Sequence, residues 1–289
     1  MGNNEKSILR TLLYSDLFDF PLSQDELYYY LNTQKTISRS QMLVSIAKLG
    51  TKIIYKNGYY CLSGKEMTVI KRKGMQVDYQ AKVASARTIT RLLRHIPSVL
   101  FIGISGSVAV GNAKKQDDID LFIITSEKSI FATRLICLTF LSILGKRRKR
   151  QETDTSGKIC LNMFIDTSVL STEKSRQDIY TAREIAQLFP LFERSGTYSK
   201  FLSANTWIGS FLPHAIEGRT DTNYLKVKSS FLWNVSLVES LARSLQIWII
   251  KRHLTTEVVT KKYLAFHPQD SRILVMSEYN KRVQKANLL

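Results

Sequence analysis

The chain of 289 residues is poor in the residues that build disulfide frameworks and zinc sites. Its three cysteines, Cys61, Cys137 and Cys160, are odd in number, widely spaced and set in apolar runs, and its four histidines show no metal-ligand spacing. These features predict reduced, buried thiols. The N-terminus has no apolar stretch typical of a signal peptide, and charged residues interrupt every apolar run before the ~18 residues that a membrane span requires. We therefore expect a cytoplasmic protein without stable membrane insertion.

Acidic residues are also scarce. The chain has 42 Lys and Arg against 24 Asp and Glu, a formal net charge of +18. Such an excess attracts polyanions, which include nucleic acids, nucleotides and anionic membrane surfaces. A basic but merely solvated surface is the alternative interpretation. The apolar content of 44% excludes a largely disordered chain.

Residues 1–75 have the pattern of three helices followed by a hairpin. Ser23 with Glu26 forms a capping box before the second helix, Ser38 or Ser40 opens the third, and Asn57-Gly58 is a strong hairpin turn signal. This is the order of a winged-helix module. It predicts either a nucleic-acid reader or a module used only for packing or protein contacts.

The pattern changes twice after this module. Residues 76–170 begin with a helix that ends at Pro97, and continue with strands at 98–104 and 119–125, a helix at 131–145 and an apolar run from Ile159. Residues 171–289 show mainly helical apolar stripes. We therefore predict an α+β fold with a small mixed sheet in the middle and a helical C-terminal region. The basic face predicted for the leading helix consists of Lys82, Arg87, Arg91 and Arg94.

The stretch "FIGISGSVAVGNAKKQDDIDLFIIT", residues 101–125, carries the clearest chemical signal. Its glycines do not match a P-loop or a dinucleotide fingerprint. Asp118 and Asp120 lie two residues apart on a strand and so share one face, where two ionised carboxylates repel unless a cation such as Mg²⁺ or Mn²⁺ binds them. Gly106 allows a tight turn, and Ser107 adds a hydroxyl where an anion could bind. The alternative is that Asp117 and Asp118 cap a turn and that Asp120 faces solvent from an edge strand.

An apolar strand, Gly106-Ser107, a loop and Asp118-x-Asp120 on the next strand resemble the signature of the DNA polymerase β-like nucleotidyltransferase superfamily. The whole chain also resembles uncharacterised bacterial proteins that carry such a domain. The resemblance implies a transfer of a nucleoside monophosphate from a nucleoside triphosphate (NTP) to an acceptor, with release of pyrophosphate. It implies that the Gly-Ser turn holds the triphosphate and that the aspartates are catalytic and hold Mg²⁺.

The sequence departs from this family at the third carboxylate, which active members carry on a later strand. Alternation along "KICLNMFIDT" places Cys160, Asn162, Phe164 and Asp166 on one side of that strand. Asn162 can ligate a metal but cannot act as a base, and Asp166 lies four residues further on. We expect Asn162 or Asp166 to occupy the third position.

Further basic residues could support nucleotide binding. Lys114 and Lys115 precede the aspartates, and Arg134 interrupts an apolar helix, although all three could be surface residues. The basic run at 145–150 could follow an RNA backbone, contact anionic lipid or be solvated. The sequence therefore predicts a Mg²⁺-dependent nucleotidyltransferase whose acceptor is unknown, and the net charge of +18 favours RNA or another polyanion over a small neutral molecule as that acceptor. A catalytically degenerate nucleotide- or nucleic-acid-binding adaptor is the alternative.

Overall fold

The fold was analysed in a computed structural model, which describes residues 1–149, 152–217, 224–227, 236–252, 258–266 and 271–288. It is a mixed α/β structure built around a mixed sheet, as the sequence predicts. Among the described helices, none combines the length and apolar composition that a bilayer crossing requires.

The N-terminal module has the predicted helices and hairpin, with one additional short strand. Its elements are α1 (Asn3–Asp16), β1 (Leu22–Ser23), α2 (Gln24–Tyr29), α3 (Arg39–Leu49), a 3-10 helix (Gly50–Lys52), β2 (Ile53–Lys56) and β3 (Tyr59–Leu62). The strands form an antiparallel sheet in the order β1-β3-β2. The predicted capping box is present, because Ser23 Oγ accepts from the Glu26 N–H and the Glu26 carboxylate accepts from the Ser23 N–H. Asn57 and Gly58 both have positive φ, as a tight hairpin requires.

Two helices, α4 (Met67–Gly74) and α5 (Gln76–Leu93), connect this module to the central sheet. Arg87 and Arg91 lie on the exposed face of α5, whereas Lys82 is only 5% exposed. The prediction that Lys82 belongs to a basic surface is therefore wrong. Its ammonium group is directed inward to backbone carbonyls.

The central region alternates between strands and helices. Its elements are β4 (Val99–Ser105), α6 (Gly106–Ala109), β5 (Ile119–Thr125), α7 (Ile130–Ile143), β6 (Ile159–Asp166), a 3-10 helix (Lys174–Arg176), α8 (Ile179–Gln187), β7 (Phe189–Arg194), α9 (Thr197–Ser203), a 3-10 helix (Thr206–Ser210), α10 (Pro213–Glu217), β8 (Leu225–Val227), α11 (Ser236–Lys251), β9 (Val258–Val259), β10 (Tyr263–Ala265) and α12 (Ser271–Lys285). Part of the helix predicted within 229–254 falls outside the described residues.

The described strands after residue 98 form one seven-stranded sheet in the order β8-β7-β4-β5-β6-β10-β9. β4 runs antiparallel to both β5 and β7, and β5 runs parallel to β6. This parallel pairing places the start of β5 next to the start of β6. Side chains at those two positions are therefore neighbours.

The C-terminal region is not purely helical. It contributes four strands to the sheet, which thus extends across the predicted boundary at residue 170. β7 was expected within a helical stripe, but α8 ends before Pro190, and residues 190–194 are all buried. A short buried apolar run fits a helix and a strand equally well, and its pairing with β4 selects the strand.

Helices cover both faces of the sheet. On one face Leu121 and Ile123 pack with α5, α7 and α11 in one hydrophobic cluster. On the other face Phe122 and Ile124 join a cluster that includes the N-terminal module, α8, α9 and α12. The second face carries Asp120, which has the same parity as Phe122 on β5.

Candidate functional site

The Gly-Ser turn follows directly from the end of β4 and lies against Asp120. Gly106 has a φ of +65°, and a Cβ at this position would lie 2.8 Å from Oδ2 of Asp120. Glycine is therefore needed twice, for the backbone conformation and for the close approach of the carboxylate. Ser107 is the second residue of the single turn of α6, and its carbonyl accepts from the Asn112 N–H at 2.9 Å.

Asp118, Asp120 and Cys160 form a partly buried cluster in which one ligand atom from each residue lies within 4.8 Å of the others. Asp120 is the register partner of Cys160 in the parallel pairing of β5 with β6, and Asp118 precedes β5 by one residue. The carboxylates offer the hard oxygen atoms that Mg²⁺ prefers, whereas a thiol does not. Asp118 and Asp120 therefore fit Mg²⁺ or Mn²⁺, with Cys160 as a neighbour.

Burial and like charge dominate the electrostatics of this cluster. Burial first, and then the charge of Asp118, raise the pKa of Asp120 to about 7. Burial and the two carboxylates also raise the pKa of the Cys160 thiol well above its ordinary value, so the thiol is neutral at pH 7. Such a cluster gains from a cation, because added positive charge offsets the repulsion between the two carboxylates.

Arg148 supplies part of that positive charge. Its Nη1 donates to Oδ2 of Asp118 at 2.9 Å and lies 3.8 Å from Sγ of Cys160. The Asp118 side chain is 14% exposed and that of Arg148 is 37% exposed, so the pair lies at the edge of the cluster. The arginine belongs to the basic run, in which Arg150 lies outside the described residues.

A buried lysine side chain anchors the loop before the aspartates. Nζ of Lys82 donates to the Lys115 carbonyl at 3.1 Å and to the Asp117 carbonyl. The Asp117 carboxylate accepts from the Lys114 N–H at 2.8 Å and caps the turn. The turn-cap alternative therefore applies to Asp117, whereas Asp118 and Asp120 face each other.

Of the two predicted third-position residues, Asp166 lies far from the aspartates, and Asn162 lies at an irregularity in the pairing of β5 with β6. Leu121 pairs with Leu161, but Phe122 pairs with Met163, so Asn162 is an extra residue in a β-bulge. The bulge reverses the alternation, and Asp166 lies away from Cys160 by six residues of strand, about 20 Å. The Asp166 carboxylate accepts from the N–H and hydroxyl of Ser168. Cys160 occupies the position beside Asp120.

The predicted basic ligands lie at the surface or in other contacts. Lys114 and Lys115 are exposed in the loop before the aspartates. Arg134 donates to Gln246 of α11 at 2.6 Å and stacks over the Phe266 ring at 4.1 Å from its centroid. Its role as a phosphate ligand is not supported by these contacts.

Glu184 of α8 is a carboxylate that sequence reasoning missed. Burial raises its pKa to about 7, and its charge contributes to the raised pKa of Asp120. α8 also contacts α6, so this helix lies beside the Gly-Ser turn. The available signal was the i, i+4 spacing of Tyr180, Glu184 and Leu188, which places an acidic residue in one row with two apolar side chains.

Comparisons of the chain with protein-family models, with curated proteins and with solved structures find no match. The geometry of this site is therefore the basis for the functional argument.

Proposed function

We propose that the protein is a Mg²⁺-dependent nucleotidyltransferase that moves a nucleoside monophosphate from an NTP to an acceptor and releases pyrophosphate. The observation that carries this proposal is the convergence of Asp118 and Asp120 beside the Gly106-Ser107 turn. Mg²⁺ or Mn²⁺, when bound, supplies charge neutralisation for phosphoryl chemistry.

The residues of the chain have separate roles in this proposal. Asp118 and Asp120 hold the metal, and the turn at Gly106 and Ser107 holds the triphosphate next to them. Lys114 and Lys115, exposed in the preceding loop, can approach the phosphates from solvent. Arg148, paired with Asp118, maintains the charge balance of the cluster before a metal binds.

Pyrophosphate release from each of the four NTPs tests this proposal, with Mg²⁺ or Mn²⁺ and with total cellular RNA and a mixture of small hydroxyl compounds as acceptors. We expect Asp118→Asn and Asp120→Asn each to lower release by at least ~100-fold, since such metal contacts are worth several kcal/mol. The matched control is Asp117→Asn, because Asp117 caps the turn outside the cluster. Equal rates in all three variants would contradict the proposal.

A second candidate, nucleotide binding without transfer, is favoured by one observation. The position beside Asp120 on β6 is Cys160, and no third carboxylate from the described residues joins the cluster. The variants Cys160→Asp and Cys160→Ser separate the two candidates. The second candidate predicts that the wild type binds a fluorescent NTP analogue without releasing pyrophosphate. It also predicts that Cys160→Asp releases pyrophosphate and that Cys160→Ser does not.

We also propose that residues 1–75 form a winged-helix module. Support comes from three helices, a hairpin and the pairing of β1 with β3. Arg39, at the start of α3, is paired with Asp25 at 2.5 Å and lies over the Tyr28 ring. These contacts favour a packing role for the module over a role in reading nucleic acid. Measuring the binding of RNA and DNA at several salt concentrations tests this choice.

A further inference from the structure

A cavity of about 670 Å³ lies between the central sheet and α8. Phe122, Met163 and Ile165 of the sheet form its floor, and Tyr180 of α8 and Leu188, the residue after α8, line the opposite side. The volume falls within the range of roughly 300–1,000 Å³ that is typical of small-molecule sites, and the walls are mainly apolar and aromatic, as in such sites.

One end of the cavity carries three polar side chains, and the hydroxyl group of one of them has no partner in the described part of the chain. Ser105 is 9% exposed, and its Oγ makes no hydrogen bond there. Asn162 is 5% exposed, Glu184 is half-buried, and both also line the cavity. A buried polar group without a partner is costly and uncommon in proteins. The unpaired hydroxyl of Ser105, together with these two polar side chains, indicates a ligand with its own donors and acceptors.

The polar end lies next to the aspartate cluster. Ser105 is the cross-strand partner of Asp120, and Asn162 follows Cys160 by two residues at the bulge. Glu184 is close enough to Asp120 for its charge to act on that carboxyl group. Asn162, the extra residue of the bulge, lines the cavity.

We propose that this cavity binds a small organic molecule with a ring-bearing apolar body and a hydroxyl group, which Ser105, Asn162 and Glu184 hold at the polar end. The apolar floor accommodates the ring, and the three polar side chains provide both donors and acceptors for the hydroxyl group.

Under the proposed nucleotidyl transfer, on which this part of the inference rests, the molecule in the cavity is the acceptor. Its hydroxyl oxygen forms a bond to the α-phosphorus of the NTP, the bond from that phosphorus to the bridging oxygen breaks, and pyrophosphate leaves. The hydroxyl proton passes to the Glu184 carboxylate. A cavity of about 670 Å³ has the size that accommodates a small molecule.

Binding of two probes, 2-naphthol and naphthalene, tests the site without nucleotide or metal. Both have the same ring body, and only 2-naphthol has a hydroxyl group. We expect 2-naphthol to bind at one site about tenfold more tightly, which corresponds to one hydrogen bond of about 1.4 kcal/mol. In Glu184→Leu this preference should fall several-fold.

Two variants that fill the cavity locate the probe. Leu188→Trp and Thr181→Trp change half-buried lining residues, and each should weaken 2-naphthol binding at least tenfold. Leu92→Trp, at an exposed position of α5, is the matched control and should bind as the wild type does. Circular dichroism and melting curves identify any variant that fails to fold, and the other tryptophan variant then decides.

The outcomes separate this inference from the proposed function. Equal affinity for both probes, or binding that neither tryptophan variant weakens, overturns the cavity site, whatever the nucleotide experiments show. Probe binding as expected but no pyrophosphate release contradicts nucleotidyl transfer alone. Transfer of label from α-³²P-labelled NTP to RNA at the wild-type rate by Leu188→Trp overturns the acceptor role of the cavity.

Discussion

The carboxylate of Asp120 occupies the space next to Gly106 that a side chain at position 106 would need. The Cβ of an alanine would lie 2.8 Å from Oδ2 of Asp120, and the backbone at this position has a φ of +65°. The first strand of the site thus ends in a turn shaped around the carboxylate of the second strand. This contact connects the two halves of the motif on which the functional proposal depends.

We predict that Gly106→Ala weakens Mn²⁺ binding at least tenfold and lowers the unfolding free energy by about 1–3 kcal/mol. The matched control is Gly145→Ala, because Gly145 has a φ of +63° with no atom within 4 Å of its added Cβ. The control should show the conformational cost without the loss of metal affinity. Titration calorimetry with Mn²⁺ and urea unfolding provide the two measurements, and equal metal affinity in both variants would contradict the prediction.

Arg148 and a metal ion compete for Asp118. Because the guanidinium of Arg148 lies 2.9 Å from Oδ2 of Asp118, we predict that Arg148→Ala strengthens Mn²⁺ binding several-fold. Arg147→Ala is the control, since the Arg147 side chain is exposed and only approaches Ser142 Oγ at 3.5 Å. Weaker Mn²⁺ binding in Arg148→Ala than in Arg147→Ala would show that Arg148 supports the metal instead.

The sequence predicted the elements and the aspartate pair because both depend on local pattern. Helix caps, the Asn57-Gly58 turn and strict alternation around Asp118 and Asp120 act within a few residues. The predicted strand at 119–125 coincides with β5. Where neighbours in sequence determine the conformation, the sequence was sufficient.

The third position could not be predicted, since it depends on pairing between strands. Alternation along β6 would place Asn162 beside Cys160, but a bulge at Asn162 shifts all later side chains to the opposite face. Similarly, β8, β9 and β10 have only two or three residues each, and β8 and β10 join the sheet through pairing with β7 and β6, which lie far away in the chain. Cross-strand register of this kind leaves no local pattern.

Glu184 should make stability dependent on pH. Burial raises the pKa of Glu184 from its ordinary value of 4.5 to about 7 in the folded chain. Between pH 4.5 and pH 7, the folded state therefore binds more protons than the unfolded state. Unfolding free energy therefore falls as pH rises from about 4.5 to 7, and the loss is complete above 7. Asp120 acts in the same direction.

We predict that Glu184→Gln is more stable than the wild type at pH 8, by about 1–3 kcal/mol, and equally stable at pH 4. The range allows for solvent that reaches the carboxyl group through the cavity. Glu173→Gln, an exposed position at the same cavity, is the control and should leave the pH dependence unchanged. Urea unfolding across this pH range gives the comparison, and a stability difference that is constant with pH would refute the assignment.

Lys82 determines the position of the aspartates although it does not touch them. Its buried ammonium group donates to the Lys115 and Asp117 carbonyls, which lie directly before Asp118. Replacement by methionine preserves the volume and removes the cost of burying a charge, but it leaves two carbonyls without their donor. The loss of the donor is the larger of these two effects where no water can reach the carbonyls.

We therefore predict that Lys82→Met lowers the unfolding free energy by about 1–3 kcal/mol and weakens Mn²⁺ binding, because the loop that leads into β5 loses its anchor. Lys115→Met is the matched control: it removes the same charge from an exposed position of the same loop. A merely electrostatic role for Lys82 would make the two variants alike in Mn²⁺ affinity. A positioning role predicts a loss of Mn²⁺ affinity in Lys82→Met alone. Calorimetry at two salt concentrations distinguishes the two roles, because salt screens an electrostatic effect but not the loss of an anchor.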